Sequence, residues 1–133
     1  MQPAPPPYAV STSTFAFPAL AALAGSLPLG SGREAALAAL LAARMAAGAE
    51  PSSGLSRATR AARATAARQW LPAMCPDTRV RAACTAVVES TADDQPESVA
   101  KALHRVIEVT ASHLTVAARS ELTSLAKAFE RAD

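Results

Sequence analysis

Apolar side chains recur every three to four residues through much of the chain after residue 30, which is the spacing of helices with one buried face. The first such segment predicts a helix over about 33–47. Ser31 followed by Glu34 forms the S-x-x-E pattern of an N-terminal capping box, and Gly48 is typical of the residue that follows a helix. The bulkier residues of its predicted buried face are Leu37, Leu40, Leu41 and Met45.

A second helix is predicted over about 55–71, because the turn-rich segment 50–54 precedes it and Pro72 follows it. Its composition is unusual, since most positions other than the arginines hold Ala or Thr. This helix therefore has little bulk to bury in a core. Its bulky apolar residues are Leu55, Trp70 and Leu71.

A third helix is expected to begin near Asp77, directly after Pro76, and to end by the acidic turn Asp93–Asp94. Its apolar residues fall at the spacing of one helical face, so that face should be buried. Cys84 belongs to it and is expected to be a small buried apolar side chain. The face consists of Val80, Cys84, Val87 and Val88.

Two further helices are predicted in the C-terminal third. The first has Asp94 or its neighbour as N-cap, Pro96 in its first turn, and Glu97 four residues before Lys101 as a supporting charge pair. The second begins near Thr115. The apolar side of the first is Val99, Leu103, Val106, Ile107, Thr110 and Leu114, and the inward residues of the second are Ala118, Leu122, Leu125 and Phe129.

Residues 1–30 differ in character from the rest. They contain six of the ten prolines and an unbroken Ser/Thr cluster at 11–14. Such a segment predicts a flexible arm, disordered or loosely packed, rich in Pro, Ser, Thr and Ala. The remaining residues, 31–133, are predicted to form the folded domain. Four to five helices joined by short loops indicate an all-α fold, a small antiparallel bundle.

Composition makes the predicted core thin. The chain has 133 residues, of which 50% are hydrophobic, so one small domain can bury a core. Aromatic residues are 4% of the chain, and beyond residue 17 they are Trp70 and Phe129. A core built largely of alanine buries little area per residue. This favours completion of burial against a protein partner or a second copy, as in a homo-oligomer.

Positive charge is concentrated in the second predicted helix and the turn after it. Segment 51–81 carries six Arg and one Asp, a net of +5, whereas the rest of the chain after it carries −3, within an overall charge of +2. On a helical wheel Arg57, Arg60 and Arg68 fall within about 80° of one another, with Arg63 about 60° further round. Arginine suits phosphate because its planar fork donates two parallel hydrogen bonds. The candidate contacts for an anionic partner are Arg57, Arg60, Arg63, Arg68, Arg79 and Arg81.

Several interpretations of these arginines stand side by side. They can lie along a nucleic-acid backbone, where contacts are electrostatic and independent of sequence, or on an anionic membrane surface. They can equally form a solvated surface, or dock on the acidic C-terminal half of the same chain. No aromatic residue is interleaved with the arginines from Arg57 to Arg68, which disfavours a module that stacks single-stranded bases.

Residues that carry catalysis or bind metals form no recognised motif. Segment 25–32 has the glycine spacing of a phosphate-binding loop, but Ser31 stands where that loop requires Lys. The cysteines are nine positions apart, as are the histidines, whereas zinc ligands pair at spacings of two to five. The four residues are Cys75, Cys84, His104 and His113.

Two polar groupings have ordinary structural explanations. His104 and Glu108 share a helical face at a spacing of four, which is usually solvated surface. Asp93, Asp94 and Glu97 lie at a predicted helix start, where carboxylates cap the helix and complement its dipole. We therefore predict a protein without enzymatic activity, with no catalytic residue, cofactor or metal site.

Two cysteines are too few for a disulfide framework, which favours a reducing compartment, cytoplasm or nucleus. Cys75 lies in the predicted turn between Pro72 and Pro76 and is expected to be accessible to thiol reagents. The arm lacks the basic start of a secretory signal. Its composition is also that of an organellar transit segment, although no Arg precedes residue 33, and no apolar run reaches the roughly 18 residues that a membrane span needs.

The sequence thus predicts a helical interaction, structural or assembly protein that acts through protein–protein contacts and can self-associate. The alternative is a nucleic-acid-binding module that uses the arginine-lined helix over 55–71 on phosphate backbones. The two differ in salt dependence, because phosphate binding weakens steeply with salt whereas apolar helix association does not.

Overall fold

The computed structural model describes residues 17–49, 54–92 and 95–131. Within these ranges the chain is all-α, with six α-helices, one short 3-10 turn and no strand, which confirms the predicted fold class. The elements are α1 (Pro18–Ser26), α2 (Ser31–Gly48), α3 (Arg57–Met74), α4 (Thr78–Ala92), α5 (Pro96–Thr110), the 3-10 turn Ala111–His113 and α6 (Val116–Glu130).

Helix α2 is the centre of the bundle and packs against all five other α-helices. Its buried positions are almost all alanine and lie on several faces, because neighbouring backbones approach a central helix closely only where its side chains are small. Of the predicted buried face, Leu40 and Met45 are buried, whereas Leu37 and Leu41 lie half-buried at the margin. The buried alanines are Ala35, Ala36, Ala38, Ala39, Ala42, Ala43, Ala46 and Ala47.

The predicted arm is wrong for residues 17–30, which contribute to the core. Helix α1 packs against α2 and α6 and buries Phe17, Leu20 and Ala24. The Glu121 carboxylate on α6 accepts hydrogen bonds from the backbone N–H groups of Ala19 and Leu20, each 2.9 Å long. A carboxylate in this position satisfies first-turn donors and complements the helix dipole. The folded domain therefore begins before residue 31, while residues 1–16 of the predicted arm lie outside the described residues.

Both predicted end signals of α2 act differently from expectation. The capping box is absent, because the N-cap is Gly30, at a φ of 147°, and Ser31 is already the first helical residue without a side-chain cap. A positive φ of this size is readily adopted by glycine. Gly48 does not follow the helix but forms its last residue, buried against Arg63. Its absent side chain serves packing rather than termination.

Helix α3 is longer than predicted, because Pro72 lies within it. Ser56 caps its start by accepting a hydrogen bond from the Thr59 backbone N–H at 3.1 Å. The helix then continues past Pro72 to Met74, and the last turn closes with a 2.9 Å bond from the N–H of residue 75 to the carbonyl of Leu71. Burial of Leu71 holds this last turn on the bundle, which offsets the missing proline donor.

The predicted faces of the last three helices are confirmed at all but two residues. Ile107 is half-buried, and Leu114 is buried but follows the 3-10 turn, because α5 ends at Thr110. Asp77 caps α4 through the backbone N–H groups of Arg79 and Val80, and Thr115 caps α6 through that of Ala118. The N-cap of α5 is Gln95, the neighbour of Asp94. None of the described helices combines the length and apolarity needed to cross a membrane. Fully or nearly fully buried residues include Val80, Cys84, Val87, Val88, Val99, Leu103, Val106, Thr110, Leu122 and Leu125.

Candidate interaction surface on helix α3

The arginines of α3 flank its buried face instead of forming an outward ridge. The helix packs on α2 and α4 through Ala64, Ala67 and Leu71. With 3.6 residues per turn, Arg60 points within about 15° of the centre of that face and Arg63 lies about 70° to one side of it. Long arginine stems reach outward along neighbouring helices from such positions. The location of these side chains is therefore set by α2 and α4.

Arg68 is bound within the molecule. Its Nε and Nη2 donate to the two carboxylate oxygens of Glu89 on α4, at 2.6 and 2.9 Å. This hydrogen bonding lowers the pKa of the Glu89 carboxyl. The two side chains are 40% and 47% exposed, so solvent weakens the pair and its contribution is about 0–1 kcal/mol. The predicted docking of arginine on the acidic C-terminal half is thus realised at this residue.

Arg63 is half-buried across the end of α2. A Cβ built on Gly48 would lie 2.7 Å from Nη1 of Arg63 and 3.0 Å from Cδ1 of Leu55, so glycine leaves the space that the guanidinium occupies. Burial lowers the pKa of Arg63, although an arginine stays charged at neutral pH. Its guanidinium is accordingly a packing group between α2 and α3.

Of the remaining predicted contacts, Arg79 and Arg81 lie on two grooves along α4. Arg79 and Arg105, the latter on α5, line one of about 340 Å³, and Arg68 and Arg81 line the other of about 540 Å³. Arg57 is exposed on the first turn of α3, away from both grooves, and Arg60 is half-buried. Sequence reasoning missed Arg105, because it lies in the acidic segment and only helix packing brings it beside Arg79.

One stripe along the outward side of α3 consists of alanines, a threonine and a tryptophan, and this tryptophan is the most exposed aromatic side chain of the described residues. Trp70 is 60% exposed, and the alanines that share its side of the helix are exposed as well. The residues that share this direction are spaced by three, four, four and three positions, and they point about 130° away from the buried face. We call this surface the Trp70 seam: Thr59, Ala62, Ala66, Trp70 and Ala73.

The sequence held a signal for this surface. Trp70 directly precedes the buried Leu71, so the two side chains point about 100° apart, and one compact face cannot bury both fully. The pattern did not say which of the two turns inward. Contacts of α3 with α2 and α4 decide it in favour of Leu71.

The two polar residues His104 and Glu108 do not contact one another as a pair. His104 hydrogen-bonds to Glu130 at 2.5 Å, and Glu108 pairs with Arg105 at 3.3 Å, so the predicted neighbours His104 and Glu108 have different partners. No group of three metal-ligating side chains occurs in the portion of the chain that the structure describes.

The predicted accessibility of Cys75 is wrong. Because α3 continues to Met74, Cys75 becomes its C-cap and is 1% exposed, with its thiol turned to the carbonyl of Asp77. Burial raises the pKa of Cys75, and burial together with Cys75 raises the pKa of Cys84 to about 12. Thiols of this kind are poor nucleophiles at neutral pH, because the reactive form is the thiolate.

No protein-family model matches the chain, no curated protein matches its sequence, and no solved structure matches its fold. The features from which a function can be inferred are the Trp70 seam on α3 and the arginine-lined grooves along α4.

Proposed function

We propose that this chain is a non-enzymatic helical interaction protein that binds another protein surface through the Trp70 seam. The observation that carries the proposal is the exposure of Trp70 beside alanines on a helix whose opposite face completes the core. Tryptophan is enriched among residues that dominate binding energy at protein interfaces. Alanines beside it let a second backbone approach closely.

The exposed apolar surface of the Trp70 seam is large enough to contribute to the free energy of binding. A tryptophan side chain buries about 150–250 Å², and covering the exposed part of Trp70 removes on the order of 100–150 Å² from water. At about 25 cal/mol per Å², this supplies on the order of 3 kcal/mol before the entropic cost of association. The neighbouring alanines add smaller increments. The seam thus suits an interface centred on one aromatic anchor.

The grooves along α4 support a binding rather than a catalytic role. Their linings consist of Ala, Thr, Pro, Arg and one Glu, and this Glu89 is hydrogen-bonded to Arg68. Neither lining includes His or Cys, the usual general base and nucleophile. A proton-transfer or covalent mechanism has no obvious group to begin from there.

Site-specific photo-crosslinking tests the proposal. A benzophenone-bearing amino acid at Ala66, in the middle of the seam, should form a covalent adduct with another protein molecule in the native cell. The same amino acid at Ala61, which is also exposed but lies about 140° round the helix, is the matched control. An Ala66 variant that yields no more adduct than the Ala61 variant would contradict the proposal.

A second candidate function, nucleic-acid binding, draws support from the grooves along α4, where Arg79 and Arg81 join arginines of the neighbouring helices. Duplex binding should then weaken steeply with salt. Replacing Arg79 and Arg81 with Gln should reduce the slope of log affinity against log salt by about one for each phosphate that is no longer neutralised. Lys101→Gln, at an exposed residue outside both grooves, is the control. Equal slopes for all three proteins would contradict phosphate binding.

A further inference from the structure

A basic face runs along α4, on the side of this helix that points away from the core. Thr78, Ala82 and Ala86 lie at a spacing of four residues, are all exposed, and line both of the grooves beside α4. They form a ridge of small side chains between the two grooves. We call this ridge, together with the two grooves that border it, the α4 face.

Each groove of the α4 face carries two arginines. Arg79 and Arg105 line the groove on the α5 side, whereas Arg68 and Arg81 line the groove on the α3 side. Glu89 is the single acidic side chain among the lining residues that the structure describes, so the face has a net charge of +3. The whole chain carries +2. The positive charge of the protein is therefore concentrated on this face.

Two of these arginines have no internal counter-ion. Arg79 and Arg81 form no ion pair with any residue that the structure describes. Both lie at the start of α4, where the helix dipole disfavours positive charge, and the first turn holds no acidic residue. Their position is unfavourable for the isolated chain. Carboxylates supplied by a partner would offset this cost.

We propose that the α4 face binds an acidic amphipathic helix of another protein. The small side chains of the ridge let a second helix approach α4 closely. Acidic residues on both flanks of that helix then meet the arginines of the two grooves, in the way that flanking charges pair beside the apolar seam of a coiled coil. An amphipathic helix laid on a groove is a recurrent mode of protein recognition. The proposal concerns a second surface and does not rest on the Trp70 seam.

The ends of the α4 face favour a helix over a nucleic-acid backbone. Asp77 lies at the start of α4 and Glu89 lies about 18 Å further along its axis. A phosphate backbone that follows α4 would meet a carboxylate at each end, and the ridge between them holds no cation. A protein helix can place its acidic residues between the two carboxylates and neutral or basic residues beside them.

The net charge also argues against pairing of two α4 faces. Two copies would bring together surfaces that each carry +3, and such surfaces repel one another. The surface that complements this face is therefore acidic. An acidic helix from a different protein meets that requirement.

A designed peptide supplies the probe for a binding test. It is a stapled helix of 15 residues, as long as α4, with Ala along one stripe and Glu on both flanks. Its control peptide has Gln in place of every Glu. In fluorescence anisotropy at low salt, the whole chain should bind the Glu peptide at least about tenfold more tightly than the Gln peptide, because charge complementarity carries the recognition.

Matched variants separate charge from shape. Replacing Arg79 and Arg81 together with Gln should weaken binding of the Glu peptide about tenfold, whereas Lys101→Gln, outside both grooves, should leave it unchanged. Ala82→Gln keeps the charge but blocks close approach at the ridge, so it should weaken the Glu peptide at least about threefold. The same variant should leave the affinity for a DNA duplex within about twofold, because phosphate contacts depend on charge. Circular dichroism checks that each variant keeps its helices.

The outcomes decide between the helix and the other occupants. Weaker binding of the Glu peptide in both the double arginine variant and Ala82→Gln would establish the α4 face as a helix-binding surface. Equal binding of the two peptides, or no saturable binding of the Glu peptide at millimolar concentration, would overturn it. Sensitivity to the arginine variant alone would also overturn it, because a polyanion contact without helix docking explains that result.

Two further readouts keep this inference distinct from the other proposals. A DNA duplex that binds and is weakened by the double arginine variant, while the Glu peptide does not bind, would assign the grooves to nucleic acid and overturn the helix proposal. Trp70→Ala should change none of the peptide affinities. Failure at the α4 face therefore leaves the function proposed for the Trp70 seam intact, and photo-crosslinking from Ala66 tests that function separately.

Discussion

Replacing Glu121 should loosen α1 while leaving the rest of the bundle in place. Its carboxylate accepts the backbone N–H groups of Ala19 and Leu20 at 2.9 Å each and bridges residues about a hundred positions apart in the chain. Glu121→Gln keeps one oxygen acceptor but removes the charge and the second acceptor. Glu121→Ala removes both acceptors.

The magnitude follows from the role of the carboxylate as a helix cap. Loss of a cap acceptor costs about 0.5–2 kcal/mol, and loss of negative charge at a helix N-terminus adds about 0.3–1 kcal/mol. We therefore expect about 1 kcal/mol for Glu121→Gln and about 2 kcal/mol for Glu121→Ala. Burial of Phe17 and Leu20 still holds α1 on the bundle, so local opening rather than complete release should result.

Hydrogen exchange measures this local opening directly. A loss of about 1 kcal/mol corresponds to roughly fivefold faster exchange of α1 amides, while amides of α5 should be little affected. Glu130→Gln is the matched control, because it removes the same charge from the same helix at an exposed pair with His104. Exchange in α1 that is no faster in Glu121→Gln than in Glu130→Gln would refute the capping argument. Equal acceleration throughout the protein would refute the separate opening of α1.

Three further predictions concern stability and reactivity. Arg68→Gln should destabilise the fold by less than about 1 kcal/mol at neutral pH, because its pair with Glu89 is half exposed. Folding lowers the pKa of Glu89, so the contribution of the Arg68–Glu89 pair to the free energy of unfolding is present above the unfolded carboxyl pKa and is lost as pH falls through the folded value. The urea midpoints of wild type and variant should therefore converge in acid. Both native thiols should react slowly with a disulfide reagent, and Cys84 should react more slowly than Cys75. Prompt labelling of either thiol without denaturant would contradict its burial. Leu103→Ala should lower the free energy of unfolding by about 2–5 kcal/mol, because Leu103 is fully buried, and chemical denaturation measures this loss. A loss below about 1 kcal/mol would mean that the surrounding side chains collapse into the cavity.

Periodicity alone predicted the buried sides of α4, α5 and α6. In these helices bulky aliphatic residues alternate with charged and polar ones, so the 3.6-residue period is visible along the chain. Val80 and Cys84 on α4 and Leu122 and Leu125 on α6 are buried as that contrast indicates. Asp77 and Thr115 were also recognisable as helix starts, because capping depends on a local hydrogen bond to the residues just after them.

Helix α1 illustrates what local sequence leaves open. Its segment is short, begins with Pro18 and is apolar on nearly every side, so no periodic contrast marks one face. A nine-residue helix is marginal by itself in water. It is held by packing on α2 and α6 and by the distant carboxylate of Glu121, which are contacts that no local pattern encodes.

Helix α3 shows the same division most clearly. Its sequence determined a helix in which alanine is the commonest residue, with arginines in between, and alanine carries too little hydrophobic contrast to say which side turns inward. Only the contacts of α3 with α2 and α4 decided that Leu71 is buried and Trp70 is exposed. The same packing brings Arg68 to Glu89 and Arg63 to the space beside Gly48 at the end of α2. The reason is physical: propensity acts between neighbours in the chain and determines that a helix forms, whereas its orientation depends on burial against elements remote in sequence.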